Sequence, residues 1–346
     1  MTTLDNVPFN VLDLAWRDFG KTNSDAVRAS VELARKAEDL GFRRYWFAEH
    51  HGLPVSASST PAILVGAVAA ATTTMRVGSG GVMLPNYAPL SVAEQFGTLK
   101  ALYGDRIDLG IGRASGTDGV TTHALRRTRE GLDVSSYPRD LLDLLGFFRG
   151  SQEAPTSPLL AVPGLGDGPE IWLLGSSTFS AQLAGRLGLP FAFAHHFSSD
   201  RTEQALDLYR QAFTPSELLE APYSMISVML IVDDSRDVVR AEMLPSAITF
   251  LQMLQGKRPE PVSVEAALAY DLSPRERELV TQRNARQAVG TPDEVEARLR
   301  SLVASTGANE LMFQLHGATA TGRQRSLEIV TSLRTSRAPT PRGEAS

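Results

Sequence analysis

Residues 45–52 read YWFAEHHG. Tyr45, Trp46, Phe47 and Ala48 are followed without a break by Glu49, His50 and His51. A run of this composition belongs in a core, so its abrupt polar end needs a reason. Neighbouring residues on a strand face opposite sides. Trp46, Ala48 and His50 therefore share one face, and Phe47, Glu49 and His51 share the other. The run is apolar on both faces, as in a parallel sheet covered on both sides. Its polar C-terminal end then marks where the sheet opens onto a site. Small Ala48 suits a crowded interior, which makes His50 the inward-facing histidine.

Working outward, the same alternation repeats. Strand patterns at 7–15, 43–50, 76–84, 106–112, 170–175, 190–195, 223–232 and 310–317 are separated by helical patterns. The first helix, 24–40, carries Ser24 as a candidate N-cap and Gly41 as a stop. The helix at 292–305 opens on Thr291, Pro292 and Glu294, a capping box. Eight β–α units in sequence close most economically into a (β/α)8 TIM barrel, with a doubly wound open sheet as the alternative. Residues 1–335 read as a single barrel domain. Residues 234–289, after the seventh strand, break the rhythm with two or three helical patterns. An insertion there starts at the catalytic rim and is a candidate lid. The tail 336–346 has a disordered composition.

Composition narrows the function. The 346 residues carry a net charge of −5, 42% hydrophobic residues and no cysteine. Thiolate catalysis and cysteine-ligated metals are excluded, and a cytoplasmic location fits. No basic cluster suggests nucleic acid. No apolar run is long enough to span a membrane.

The six histidines sort unevenly. His50, His51, His195, His196 and His316 end predicted strands, and His123 falls in the predicted loop after strand 4. In a barrel all six gather at the C-terminal face, where catalysis occurs. Which of His195 and His196 turns inward stays open. A metal site is disfavoured: barrel metallohydrolases place two histidines at i, i+2 on the first strand, whereas this chain has adjacent pairs and no histidine on strand 1.

Two further stretches point to an anion. LLGSSTFSAQLAG (173–185) is strand, Gly-Ser-Ser turn, then helix. The free N–H groups and dipole of a helix start bind anions, although the same serines serve as an ordinary N-cap. GIGRASG (110–116) places Arg113 at the end of the fourth strand, where a guanidinium fork can pair with phosphate. It is a poor match to a dinucleotide-binding loop.

With these features together, YWFAEHH, VGSGGVMLPNYAPLSVAEQFGTL (77–99) and IWLLGSSTFSAQLAGRLGLPFAFAHHF (171–197) resemble the bacterial luciferase-like flavin-dependent monooxygenases, over about residues 1–330. Within that family the chain is most similar to the single-chain members of actinomycete antibiotic pathways. The resemblance implies reduced FMN (FMNH2) and O2 as reactants. It implies that His50 is the acid–base residue near the reactive flavin carbon. It implies a non-prolyl cis peptide at Gly80–Gly81 that supports the flavin ring, Arg113 on the FMN phosphate, and Ser176, Ser177 and Ser180 as the phosphate-binding turn. It further implies homodimerisation through the second and third helices. With no nicotinamide site in the sequence, a separate NAD(P)H:flavin reductase is expected. Apolar Trp16, Phe19, Phe197 and Met253 suggest a hydrophobic substrate, an aromatic polyketide being one possibility. The alternatives are an F420-dependent hydride-transfer enzyme and a flavin-binding protein without turnover.

Overall fold

The computed structural model describes residues 3–126, 134–149 and 159–335. In chain order the elements are β1 (Phe9–Asp13), α1 (Asn23–Asp39), β2 (Arg44–Phe47), α2 (Pro61–Ala71), β3 (Arg76–Met83), α3 (Pro89–Tyr103), β4 (Ile107–Gly112), α4 (Gly119–Arg126) and α5 (Tyr137–Phe148). There follow β5 (Glu170–Gly175), α6 (Thr178–Arg186), β6 (Phe191–Phe193), α7 (Thr202–Ala212), β7 (Ser224–Val232), α8 (Arg236–Leu254), α9 (Val264–Ala269), α10 (Pro274–Asn284) and β8 (Ala288–Gly290). The chain ends its described part with α11 (Pro292–Thr306), β9 (Glu310–Leu315) and α12 (Ala320–Thr335).

The strands pair in parallel in the order β1 to β7, then β9, which returns to β1. The result is a closed eight-stranded barrel with helices between its strands, the TIM fold expected from the sequence. The insertion after β7 contributes α8, α9 and α10. It ends on β8, which the sequence reading does not anticipate. That strand is three residues long and adds only to the C-terminal end of β7, pairing with Leu230–Val232.

Strand parity divides the core. Val11, Tyr45, Phe47, Val77 and Leu109 point outward, into the layer between sheet and helices. Leu12, Trp46, Trp172, Met225 and Met312 point inward and fill the middle of the barrel. Trp46 and Trp172 meet edge to face there, with centroids 5.5 Å apart. Below them lies a charged floor. Arg44, 1% exposed, bonds Asp108 at 2.8 Å, Glu310 at 3.0 Å and Glu170 at 3.0 Å. Trp46 Nε1 donates to the same Asp108 carboxylate at 2.8 Å. A desolvated cation is tolerable here because carboxylates surround it.

Two local expectations are corrected. Helix α1 is capped by Thr22, not Ser24: the Thr22 hydroxyl accepts from Asp25 N at 3.1 Å, and the Asp25 carboxylate accepts from Thr22 N at 2.9 Å. A carboxylate three residues after the cap completes a reciprocal pair, which Ser24 cannot form with Val27. His123 lies on α4, not in a loop, and is exposed. It therefore stands outside the group of histidines at the barrel mouth. The tail 336–346 lies outside the described residues.

Candidate functional site

The end of β2 explains its own polar sequence. The regular strand stops at Phe47, and the next backbone donors find other partners: Ala48 N reaches Asp13 O and His50 N reaches Ser58 O at 2.8 Å. Glu49, fully buried, turns outward. Its carboxylate accepts from Met83 N at 3.0 Å and Asn86 Nδ2 at 3.0 Å, and bonds His51 Nε2 at 2.8 Å. Glu49 and His51 thus fasten the segment to the end of β3. His50, between them, is left to line the mouth of the barrel.

Two cavities meet there. The inner one, about 200 Å³, lies above Leu12 and Trp46 and reaches Gly80, Arg113, Ser176, Ser177 and Ser180. The outer one, about 670 Å³, runs under the α8–α10 insertion. His50, His196, Phe197 and Gln314 line both. Trp16, Phe19 and Met253 line the outer cavity alone.

The histidines are held neutral. Burial lowers the His50 pKa below its ordinary value. Burial also pushes His196 down to about 3, and the nearby His195, His50 and Arg283 add to the fall. His316 is driven well below its usual range, again chiefly by burial. Removing a cationic imidazole from water is costly, and at His50 the Gly116 backbone bond and the Glu49 charge offset that cost only in part. The choice between His195 and His196 is settled. His196 lines both cavities and bonds Ser227 Oγ at 2.8 Å. His195 is turned away, with Thr202 Oγ1 at 2.7 Å and the Arg286 carbonyl at 2.9 Å.

The residues expected to hold a flavin phosphate come together. Gly175 ends β5, and a Cβ on it would fall 2.4 Å from Ser180 Cβ, so only glycine permits this close turn. Ser177 is the N-cap residue of α6, yet its hydroxyl makes no capping bond. That speaks against an ordinary cap as its whole role. Arg113 stacks on Phe179 of α6 at 4.6 Å and, among the described residues, has no carboxylate partner. Tyr137, near enough to feel the Arg113 charge, has a buried hydroxyl without a hydrogen-bond partner. A helix start, free hydroxyls and an unpaired guanidinium form a donor set that fits a phosphate. The Gly80–Gly81 peptide is cis and non-prolyl, and the register of β3 against β4 shifts between Gly80 and Val82.

Sequence reading missed Gln314, Ser227 and Arg283. Gln314 had a signal: in ELMFQLHG it shares parity with Met312 and His316, which face the barrel interior. Arg283 had none, because it comes from a polar helix of the insertion.

Residues 9–310 match the family model for the luciferase-like monooxygenases. A luciferase-like monooxygenase of Escherichia coli K12 is 45% identical over 312 residues, covering 88% of this chain and 90% of the relative. The uncharacterised protein YvbT of Bacillus subtilis is 43% identical over 325 residues, 94% of this chain and 96% of the relative. Among solved structures, apo-MsnO8, the mensacarcin oxygenase, superposes with a TM-score of 0.86 at 35% identity, over 94% of this chain and 98% of the other. More distant likenesses are of fold alone. They include the oxygenating component of 3,6-diketocamphane monooxygenase with FMN, at 16% identity and a TM-score of 0.71. An F420-dependent secondary alcohol dehydrogenase also shares the fold, at 15% identity and a TM-score of 0.61.

Proposed function

The chain belongs to the luciferase-like monooxygenase family, and on that premise we propose that it is a two-component, FMN-dependent monooxygenase acting on a hydrophobic organic substrate. One observation carries this reading: an inner cavity with an anion-binding cradle and an outer, mostly apolar cavity share a wall containing His50. The first suits a phosphorylated cofactor and the second an apolar reactant. In this reading Arg113, Ser176, Ser177, Ser180 and the first turn of α6 hold the FMN phosphate, and Gly80–Gly81 supports the ring.

Bound reduced FMN supplies the two electrons for O2 activation, so that one oxygen atom enters the substrate and the other leaves as water. The protein's own work is placement and proton handling. His50, kept neutral by burial and held through one ring nitrogen by the Gly116 backbone, serves as the acid–base residue. Trp16, Phe19, Phe197 and Met253 exclude water from the reacting region. The 234–289 insertion acts as a lid over the substrate. The reduced cofactor comes from a separate NAD(P)H:flavin reductase, in the cytoplasm. The assembly is a homodimer through α2 and α3, where Ile63 is 71% exposed beside an apolar groove between these helices.

The F420 alternative shares the phosphate cradle, but hydride transfer would leave the family's oxygenase chemistry unused. The test is oxygenation under 18O2 with substrate-like aromatic compounds, NADH and FMN, with and without a flavin reductase. The expected result is label in the product only when the reductase is present. Turnover without it would overturn the two-component reading. Reduction of the substrate with F420H2, without label, would replace the oxygenase by a hydride-transfer enzyme.

A further inference from the structure

Arg283 lines the outer cavity from α10, far in sequence from any barrel strand. Its guanidinium stacks on the Phe250 ring of α8 at 4.9 Å. Among the described residues its one hydrogen bond goes to Ser246 Oγ at 3.5 Å, the outer limit of such contacts. Among the described residues no carboxylate pairs with it. The other charged groups of this cavity differ. Arg17 is paired with Glu260, Asp18 with Arg323, and Asp200 lies exposed beside Arg201. Arg283 is therefore the uncompensated charge of the wall. Arg283 is half-buried, and the partial loss of water around its guanidinium pulls its pKa down to about 10.

A stacked guanidinium satisfies only its faces. Its in-plane N–H donors remain available, and five donors with one weak acceptor is a costly arrangement to bury unless something else accepts from them. His196 and His316 carry no negative charge to offset it, and their side chains bond Ser227 and Gln314, not Arg283. The missing acceptor is an anion, and a fork of this geometry matches a planar carboxylate best.

We propose that Arg283 is the substrate-recognition residue of the outer cavity, and that the molecule oxygenated here is an apolar carboxylic acid. Its carboxylate takes the Arg283 fork, and its hydrophobic body packs against Phe250, Met253, Leu254 and Phe197, so reaching the wall that contains His50. This names a substrate class for the site and rests on the monooxygenase reading given above. The FMN phosphate does not compete for Arg283, because the cradle of Arg113 and the α6 serines opens on the inner cavity.

The test is calorimetric titration of the full-length chain with 4-phenylbutyrate and with its neutral counterpart 4-phenylbutan-1-ol. Wild type, Arg283→Met and Arg283→Lys are compared, and each protein is also titrated anaerobically with reduced FMN. Wild type is expected to prefer the acid by about tenfold, the value of a charge-assisted fork over a neutral contact. R283M should lose that preference while binding the alcohol and reduced FMN as wild type does. R283K, which keeps the charge without the fork, should weaken the acid alone, and it carries the test should R283M not fold. The proposal is overturned if wild type shows no preference for the acid, including by binding neither compound, or if R283M keeps the preference. It is equally overturned if R283M loses reduced FMN, which would assign the arginine to the cofactor. An intact acid preference with no reduced-FMN binding in any of the three proteins would support the anion site and remove the monooxygenase reading instead.

Discussion

The two ends of the barrel use the same side chains in opposite ways. At the floor, Arg44 and Arg76 meet Asp108, Glu170 and Glu310, and every charge there has a counter-charge. At the mouth, Arg113 and Arg283 have no carboxylate partner among the described residues, and His50, His196 and His316 are kept neutral by burial. The floor is charged and complete, so it serves the fold. The mouth holds guanidinium donors without carboxylate acceptors among the described residues, the arrangement a ligand site would need. Residue type alone would not separate these ends. The presence or absence of a partner does: the fully buried Arg44 is matched by carboxylates, whereas Arg113 and Arg283 are half-buried and open on the cavities.

Four changes break or sharpen that contrast. Arg44→Ala strands buried carboxylates at the floor and should cost about 3–5 kcal/mol of stability in urea unfolding. A loss below about 1 kcal/mol would mean the floor is as tolerant as the mouth. His50→Ala is expected to do the reverse, lowering turnover about a hundredfold while reduced-FMN affinity and stability stay near wild type. Full turnover in that variant would remove His50 from the chemistry.

Arg113→Met should weaken reduced-FMN binding about tenfold in anaerobic titration, with only a small loss of melting temperature, since it gives up the Phe179 stack but breaks no ion pair among the described residues. The smallest effect concerns pH. His196 is held at about 3 in the fold against an ordinary 6.5, so the unfolded chain binds the proton first. The stability that His196 contributes is present in full above pH 6.5 and is lost as pH falls toward 3. His196→Gln should therefore lose less stability than wild type between pH 7 and pH 5, by on the order of 1 kcal/mol. Urea curves at the two pH values check this, and equal losses would show that His196 is not the titrating group.

Much of the fold was legible because parallel strands announce themselves by apolar runs between amphipathic helices. The eight barrel strands and the insertion fell where the pattern put them. Strand ends were less legible. Residues 48–50 read as strand from composition, but their N–H groups bond Asp13 and the Ser58 loop instead of a neighbouring strand. Composition cannot register that choice of partner. Parity correctly turned His50 inward, because Trp46 and Ala48 share its face. The same parity puts Ala192, Ala194 and His196 on the wall of the inner cavity although β6 ends at Phe193, a signal that the sequence reading left unused. The Gly175-Ser-Ser turn before a helix and Arg113 at the end of β4 were legible as a candidate anion site, and the fold brings them to one cavity. Arg283 was illegible, because its importance comes from the carboxylates that are not beside it, and absence of a partner is a property of the folded chain alone.

The measurement that most directly tests the account is an anaerobic equilibrium titration of wild type and Arg113→Met with reduced FMN, run in parallel with reduced F420. The expected result is saturable binding of reduced FMN to wild type, weakened in the Arg113 variant. Binding of reduced F420 with none of reduced FMN would contradict it.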